Sequence, residues 1–210
     1  MKFVSNLYSE HHVRNDRLGG SVEASKRLEL INSWIGGREK VIDLGGRDGT
    51  LSGPLAFDHD LTIFDADRNA LNLAEKSYGV KTVLGDLNAP LPFDDESFEV
   101  ALMGEVIEHL PYPQQTLLEV NRILGAGGIL VGSLPLAYHL QDRLRVLVGQ
   151  KLSAARDPTH LQFFRFQEFM ALLKNCGFAC NSWVAIKGGV IAKKAPGLFA
   201  RNIAFCASRL

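Results

Sequence analysis

Apolar residues recur along the chain at two spacings, one typical of helices and the other of buried strands. Ala24–Ile35 has apolar residues three and four positions apart and stops at Gly36-Gly37, which predicts an amphipathic helix. Short apolar runs bounded by charged residues, such as 61–64, predict strands. The predicted elements, in chain order, are a helix at 24–35, a strand at 40–44, a short helix near 50–57, a strand at 61–64, a helix at 68–77, strands at 80–84 and 98–103, a helix at 114–124, a strand at 129–133, helices at 138–152 and 166–176, and strand candidates at 178–186 and 201–208. Strands that alternate with helices are typical of an α/β sheet.

A glycine-rich turn after the first predicted strand is the most informative segment. It precedes an apolar run from Leu51 and reads Asp43-Leu44-Gly45-Gly46-Arg47-Asp48-Gly49. Glycine lets a backbone pass close to a ligand, and a helix that begins after such a turn offers free N–H groups. Asp43 can accept a hydrogen bond from an ammonium group but would repel a pyrophosphate. The turn therefore favours S-adenosylmethionine over a dinucleotide.

Length and composition indicate an ordinary globular protein. Of the 210 residues, 46% are hydrophobic and 22% are charged, and no internal repeat or linker divides them. No apolar stretch approaches the roughly 20 residues of a membrane span, and the N-terminus shows no secretory pattern. Cys176, Cys180 and Cys206 have no C-x-x-C spacing, which predicts free thiols in a reducing cytoplasm.

Charge is distributed unevenly although the formal total is zero. Residues 1–110 hold 11 Lys and Arg against 19 Asp and Glu, whereas residues 111–210 hold 12 against 4. Nucleic-acid binding normally needs a basic face, so the neutral total argues against DNA and disfavours RNA. The basic second half is compatible with an acidic substrate and, equally, with ordinary surface charges.

Acidic residues also follow later strands. Asp65 ends the second strand, Asp86 follows the third and Glu105 follows the fourth. Parallel strands bring their carboxyl ends to one edge of the sheet, where α/β folds bind ligands. The candidate cofactor-binding residues at this edge are Asp43, Gly45, Gly46, Gly49, Asp65, Ala66, Asp86, Leu87, Gly104 and Glu105.

In combination these motifs resemble class I S-adenosylmethionine-dependent methyltransferases, above all the type 11 and type 12 small-molecule group. The resemblance spans residues 26–180 and also includes Glu105-Val106-Ile107-Glu108-His109-Leu110 and Leu124-Gly125-Ala126-Gly127-Gly128. It implies a Rossmann-like, seven-stranded, mostly parallel sheet of order 3-2-1-4-5-7-6, with the last strand antiparallel and helices on both faces. It further implies one methyltransferase domain over 1–210, with an N-terminal cap segment at 1–25 and an acceptor-binding insertion at 135–170.

The resemblance also implies a role for individual residues. The methionine moiety of the cofactor would face Asp43 and Gly45, and the ribose would face Asp65. The adenine would face Asp86 and Leu87, and the sulfonium would face Gly104. One position departs from the family turn, since Arg47 replaces the middle glycine of D-x-G-x-G-x-G. Its side chain must point away from the cofactor if the pocket is to stay intact.

Two histidines are candidate catalytic residues. A hydroxyl acceptor benefits from a general base with a pKa near neutral, for which histidine is the natural choice. His109 lies just beyond the fourth strand, and His160 is the second candidate. An equal alternative is that His109 caps or packs a helical turn before Pro111.

A metal site is a further alternative at the same place. Glu105, Glu108 and His109 stand at i, i+3 and i+4, so a helical turn would place them on one face, and such ligands suit a divalent cation. The string is similar to that of RNA 3′-terminal 2′-O-methyltransferases and of some quinone-ring O-methyltransferases, in which such residues bind a metal and a later histidine, here His160, can complete the set. Many small-molecule members share the string without a known metal, so the prediction is of no metal.

The second half contains candidate acceptor-binding elements. Residues 138–152 combine Leu and Val with Arg143, Arg145 and Lys151, which is compatible with a lid, a contact with a membrane or lipid-linked acceptor, or a helix with one packed face. Four aromatic side chains could line the acceptor pocket or pack in the core: Phe163, Phe164, Phe166 and Phe169. The N-terminal segment could close over the cofactor through Tyr8, His11, His12 and Arg14.

The sequence therefore predicts a methyltransferase that uses S-adenosylmethionine to modify a small molecule, at oxygen. Two alternatives are a metal-assisted RNA-terminal or quinone O-methyltransferase and a cofactor-binding protein that has lost catalysis. An NAD-dependent oxidoreductase is disfavoured because Arg47 stands where G-x-G-x-x-G requires its second glycine. The sequence leaves the acceptor and the oligomeric state open.

Overall fold

Backbone pairing joins seven strands into one sheet in the computed structural model, which describes residues 19–20 and 23–210. The strands are β1 Lys40–Leu44, β2 Asp60–Asp65, β3 Lys81–Leu84, β4 Phe98–Gly104, β5 Leu124–Pro135, β6 Phe178–Lys187 and β7 Asn202–Arg209. Their order is β3-β2-β1-β4-β5-β7-β6. Strands β1 to β5 pair in parallel, and β7 is antiparallel to β5 and β6. The predicted order and the antiparallel last strand are confirmed.

Six α-helices accompany these strands in the described residues. They are α1 Ala24–Ile35, α2 Arg68–Tyr78, α3 Pro113–Ile123, α4 Leu140–Leu147, α5 Phe166–Asn175 and α6 Pro196–Phe199. Local sequence explains the bounds of α2, since the Asp67 carboxylate accepts hydrogen bonds from the N–H groups of Asn69 and Ala70 at its start. At its end Gly79 takes a left-handed conformation with φ of 66°.

The sheet separates two apolar layers, so the prediction of helices on both faces is confirmed. On one face Ile42 of β1 belongs to a cluster with Leu117 of α3 and Phe169 of α5. On the other face Val41 belongs to a cluster with Ile35 of α1 and with residues of α2. Consecutive residues of β1 thus serve opposite layers, as the two-residue repeat of a strand requires.

Three predicted boundaries were wrong. β5 begins at Leu124 instead of residue 129, because Leu124 already pairs with Phe98 across a register shift. The segment near 50–57 forms a 3-10 helix only over Gly53–Phe57. The helix predicted at 138–152 is confined to Leu140–Leu147.

Several predictions concern the N-terminus, thiols and membrane spans. The proposed cap segment 1–25 falls largely outside the described residues, as do Tyr8, His11, His12 and Arg14. All three cysteines are free, with Cys176 and Cys206 buried. None of the helices in residues 19–20 and 23–210 has the length and apolar character needed to cross a membrane.

Gly132 of β5 offers a test of the packing. A Cβ at this position would lie 2.5 Å from the carbonyl oxygen of Met103 and 2.7 Å from the ring of Phe205. We expect Gly132→Ala to lower the free energy of unfolding by about 1–3 kcal/mol, because neither the backbone nor the buried ring has room to move. Gly37→Ala is the matched control, since a Cβ there would meet no described atom within 4 Å beyond its chain neighbours. Urea denaturation of both variants measures the difference, and equal stability would contradict this account of the core.

Candidate active site

The glycine turn after β1 lies directly on the carboxylate of Asp43. A Cβ at Gly46 would approach Oδ2 of Asp43 to 2.5 Å, and a Cβ at Gly45 would approach a methyl group of Val106 to 2.7 Å. Gly45 also has a φ of 79°, a conformation that other residues rarely adopt. Glycine is therefore required at both positions for the turn to cross this edge of the sheet.

Arg47 occupies the third position of the turn with a φ of 49°. Its backbone N–H donates to Oδ2 of Asp65 at 2.9 Å, and its Nη2 donates to the carbonyl of Gly20 at 2.8 Å. The same short segment donates from the N–H of Gly19 to Asp48 Oδ2 at 2.6 Å. The guanidinium thus joins the turn to the chain that precedes α1.

Asp65 and Asp86 both hold backbone N–H groups at strand ends. Asp65 is buried and accepts from the N–H of Asp67 at 2.8 Å as well as from Arg47, with Ala66 between the two acids. Asp86 accepts on Oδ1 from the backbone and side-chain nitrogens of Asn88. Each carboxylate oxygen has two acceptor positions, so these bonds leave capacity for ligand hydroxyl or amino groups.

A buried arginine that the sequence reasoning missed lies at the centre of this edge. Arg27 of α1 is only 4% exposed, and a Cβ on Gly104 would lie 2.3 Å from its Nη2. Burial lowers the pKa of Arg27, while the charges of Glu105, Asp43 and Glu108 oppose that shift. The predicted sulfonium side of Gly104 therefore faces a guanidinium surrounded by carboxylates.

The buried carboxyl of Asp43 also has a perturbed pKa. Burial raises its pKa to about 6, and the positive charge of Arg27 opposes the shift. A cation close to Asp43 would favour its ionised form. The position is thus suited to an ammonium group.

Glu105 does not share a face with Glu108 and His109, so that prediction was wrong. Its φ of 59° turns the chain before the 3-10 helix Ile107–His109 begins. Its carboxylate instead accepts from Oγ of Ser133 at 2.8 Å and from Nδ2 of Asn202 at 3.1 Å. Glu105 is therefore anchored to β5 and β7, next to Gly104.

Glu108, His109 and His160 come together as a separate cluster. One ligand atom of each lies within 4.8 Å of the others, and the two imidazole rings are 4.7 Å apart between centroids. Nδ1 of His109 lies 3.0 Å from the carbonyl of Thr159, so it donates there as N–H and leaves the lone pair on Nε2. Burial, and then the charge of Glu105, raises the pKa of Glu108 well above its usual range.

The chain that returns from the predicted insertion supplies His160. The N–H groups of Leu161 and Gln162 both donate to the carbonyl of Glu108, at 2.9 and 3.0 Å. This pairing fixes residues 159–162 against the turn that carries His109. Sequence spacing contains no signal for it, because the two segments are about fifty residues apart.

The rest of the insertion divides into a core part and an exposed part. Phe169 is fully buried against Phe205, with Phe164 beside it, so core packing accounts for it. Helix α4 is held at its start by Asp142, which accepts from the N–H and Oγ of Ser153. Asp142 is the only buried residue of α4, so the helix packs no apolar face.

The groups at this edge fit the chemistry of S-adenosylmethionine. Its ammonium and sulfonium are cations, its ribose and adenine offer hydroxyl and amino donors, and its carboxylate is an anion. Acids stand at the ends of β1, β2 and β3, and Arg27 is beside Gly104. The acids at this edge are therefore compatible with the cations and hydrogen-bond donors of that cofactor, and Arg27 with its carboxylate.

Comparison with known proteins agrees with this geometry. Residues 42–132 match the methyltransferase-domain family of type 11. The mouse mitochondrial 2-methoxy-6-polyprenyl-1,4-benzoquinol methylase is 28% identical over 60% of the chain, and the chain spans 36% of it. The ubiquinone/menaquinone biosynthesis C-methyltransferase of Vibrio parahaemolyticus is 20% identical over 89% of the chain and 83% of its own length.

Solved structures share the fold. A SAM-dependent methyltransferase of Thermotoga maritima superposes with a TM-score of 0.71 over the full length of both chains, at 18% identity. Its similarity supports the sheet architecture, and the family match supports the activity. The matched domain over residues 42–132, the 3-2-1-4-5-7-6 sheet and the glycine turn together support a class I methyltransferase that takes its methyl group from S-adenosylmethionine.

Proposed function

We propose that the protein transfers the methyl group to an oxygen atom of a small, lipid-linked acceptor. The observation that carries this proposal is the imidazole pair His109 and His160, at the end of β4 beyond Gly104. Oxygen acceptors gain most from a nearby group that removes a proton, whereas more nucleophilic acceptors need little beyond alignment and exclusion of water.

The cofactor would lie along the carboxyl ends of β1 to β4. Asp43 binds the ammonium, Arg27 pairs with the methionine carboxylate, and Gly45, Gly46 and Gly49 let the turn approach both groups. Asp65 with Ala66 takes the ribose hydroxyls, and Asp86 with Leu87 takes the adenine. Glu105, held by Ser133 and Asn202, puts a carboxylate near the sulfonium beside Gly104.

His109 is the proposed general base. Its Nε2 lone pair is set by the bond from Nδ1 to Thr159, so the ring does not need to rotate to accept a proton. His160 packs edge-on against it and restricts the ring to one orientation. In the reaction the acceptor oxygen loses its proton to Nε2 and attacks the methyl carbon as the carbon–sulfur bond breaks.

The exposed face of α4 favours a lipid-linked acceptor. Leu147 and Val148 are 81% and 71% exposed, and Arg143, Arg145 and Lys151 lie around them. Apolar side chains next to cations suit a prenyl chain or an anionic membrane surface. The mouse relative acts, by its name, on a polyprenyl benzoquinol, which is an acceptor of this kind.

Methylation at carbon is the second candidate, because the Vibrio relative is named a C-methyltransferase. Carbon-13-labelled S-adenosylmethionine with a panel of polyprenylated hydroxyquinols and catechols separates the two. A labelled methoxy carbon in the product spectrum supports the proposal, and a labelled ring methyl establishes the alternative. We expect the protein to act in the cytoplasm, where its three thiols would stay reduced.

Cofactor affinity should depend on pH through Asp43. Burial raises the pKa of the Asp43 carboxyl to about 6, so this carboxyl is mostly protonated below that pH. It must then lose its proton before it can bind the cofactor ammonium. We expect the dissociation constant of S-adenosylmethionine to rise about tenfold per pH unit below pH 6. In the free protein the raised pKa makes stability depend on pH in the direction opposite to cofactor affinity. The protonated carboxyl stabilises the fold at low pH, and this contribution is lost as pH rises through about 6.

Calorimetry on Asp43→Asn isolates that contribution. The variant should bind roughly 10- to 100-fold more weakly at pH 8 and lose the pH dependence, since a charge-assisted hydrogen bond is removed. Asp60→Asn is the control, because Asp60 is exposed and pairs with Lys81 at the amino end of β2. A wild-type affinity that stays constant between pH 5 and 7 would contradict the role of Asp43.

His109→Ala tests the general base. We expect kcat to fall about 10²- to 10⁴-fold with hydroxyl acceptors, while the affinity for S-adenosylmethionine stays unchanged. His59→Ala, a histidine bonded to the carbonyl of Arg38 just before β2, should have full activity. An unchanged kcat in His109→Ala would exclude the imidazole as the base.

A further inference from the structure

Exposed apolar side chains lie on two neighbouring elements at the carboxyl edge of the sheet. Helix α4 follows β5, and the 3-10 helix Val190–Lys193 lies in the connection from β6 to β7. Apolar residues that are more than half exposed in or next to these two helices form the rim patch: Leu144, Val146, Leu147, Val148, Val190 and Ile191. Apolar residues scattered singly over a surface are ordinary, but this number on adjoining elements favours a contact surface.

The pairing of β7 brings the two elements together. Asn202, the first residue of β7, pairs with Pro135 at the end of β5 and with Lys187 at the end of β6. Just before it, Nη1 of Arg201 donates to Oε1 of Gln141 in α4 at 3.3 Å. The connection from β6 to β7 therefore lies beside α4, at the edge where the turns after the parallel strands emerge.

Polar bonds hold α4 in place and leave its apolar side chains outside. The buried carboxylate of Asp142 accepts from the N–H of Tyr138 at 3.0 Å and from the N–H of Ser153 at 2.8 Å. Nε of Arg145 donates to the carbonyl of Lys151 at 3.0 Å. These bonds close residues 138–153 into one loop, so the fold of the loop does not require burial of its leucines and valines.

The same two elements are strongly basic. Residues 138–151 and 187–201 contain seven Lys and Arg and a single acid, Asp142, which is 0% exposed. The cations are Arg143, Arg145, Lys151, Lys187, Lys193, Lys194 and Arg201. None of them forms an ion pair with an acid in the described part of the chain. Their positive charge is therefore available to an anionic partner.

We propose that the rim patch and these cations dock the protein onto an anionic phospholipid membrane. Aliphatic side chains enter the headgroup region of such a surface, while Lys and Arg attract its acidic headgroups. A nucleic acid would bind the cations and leave the apolar side chains in water. A neutral prenyl chain would cover the apolar side chains and leave the cations unmatched, so only the membrane complements both.

Docking turns the active-site edge toward the bilayer. The rim patch lies at the end of the sheet where the turns after β1 to β4 emerge, so both face the same surface. A lipid-linked acceptor then reaches the site without leaving the membrane. This consequence rests on the proposed function, whereas docking itself does not.

Membrane binding is measured without cofactor or acceptor. The full chain is sedimented with sucrose-loaded vesicles of phosphatidylcholine alone, or of phosphatidylcholine and phosphatidylglycerol in equal parts. We expect at least about tenfold stronger binding to the anionic vesicles, because several cations contribute. High salt should remove most of this difference, since it screens exposed charges.

Substitutions in the rim patch test its apolar part. Leu147→Glu and Val190→Glu should each weaken binding to anionic vesicles at least about tenfold, because each removes an apolar contact and adds a repelled charge. Phe57→Glu is the matched control, since Phe57 is 89% exposed but precedes the amino end of β2. It should bind like the wild type.

A second pair of variants tests the cations. Lys193→Gln combined with Lys194→Gln should weaken binding about tenfold or more. Lys76→Gln combined with Lys81→Gln removes the same charge at the opposite edge, where α2 ends and β3 begins, and should have little effect. Far-UV circular dichroism establishes that every variant is folded.

The outcomes separate this inference from the proposed function. Equal binding to neutral and anionic vesicles, or wild-type binding by folded Leu147→Glu and Val190→Glu, overturns the docking surface. A wild-type dimer that Leu147→Glu converts to a monomer, without vesicle binding, assigns the patch to a second copy and also overturns it. Vesicle binding as expected without methylation at oxygen leaves docking intact and defeats the proposed function. Methylation of a detergent-dispersed acceptor at oxygen without vesicle binding does the reverse.

Discussion

The active-site edge is organised by the burial of one guanidinium among several carboxylates. Arg27 contributes a single positive charge to a region that also contains Asp43, Glu105 and Glu108. Desolvation makes each charge expensive, and among the described residues these acids outnumber the bases Arg27 and Arg47 that act on them. A ligand carrying positive charge would therefore complement this edge. A sulfonium nucleoside with an ammonium group has this property, whereas a dinucleotide would add negative charge.

The parallel sheet converts this local chemistry into a site. In register, Asp43 stands beside Ile63 of β2 and Leu102 of β4, so the turns after three strands emerge at one level. Asp65 then ties two of those turns together by accepting the N–H of Arg47. Much of the fold, and the placement of the glycine turn and the acids at one edge of the sheet, was predictable from sequence because strand alternation, glycine turns and acids at strand ends are all local patterns.

The parts that the sequence did not predict depend on distant contacts. Glu105 turns toward Asn202, nearly one hundred residues later, and the i, i+3, i+4 spacing failed because a left-handed residue precedes a 3-10 turn. His160 is held near His109 by the backbone bonds of Leu161 and Gln162 to Glu108 and by the bond of His109 to Thr159, a proximity that the family resemblance offered as an alternative and that sequence spacing did not indicate. Arg27 did leave a signal, since it precedes Ile31 and Ile35 by four and eight residues on the buried stripe of α1. A charged residue in register with such a stripe indicates a buried polar site.

Arg47 shows how the chain accommodates the position at which it departs from the family turn. A non-glycine residue at a φ of 49° carries a strain of about 1–2 kcal/mol, which the surrounding structure must offset. Its backbone bond to Asp65 and its side-chain bond to Gly20 supply comparable stabilisation. The guanidinium thereby fastens the segment before α1 to the glycine turn, and Gly19 adds a second link through Asp48. Helix α1 carries Arg27, so the guanidinium of Arg47 links the position of that buried charge to the glycine turn. A glycine at residue 47 would have no side chain to make this link.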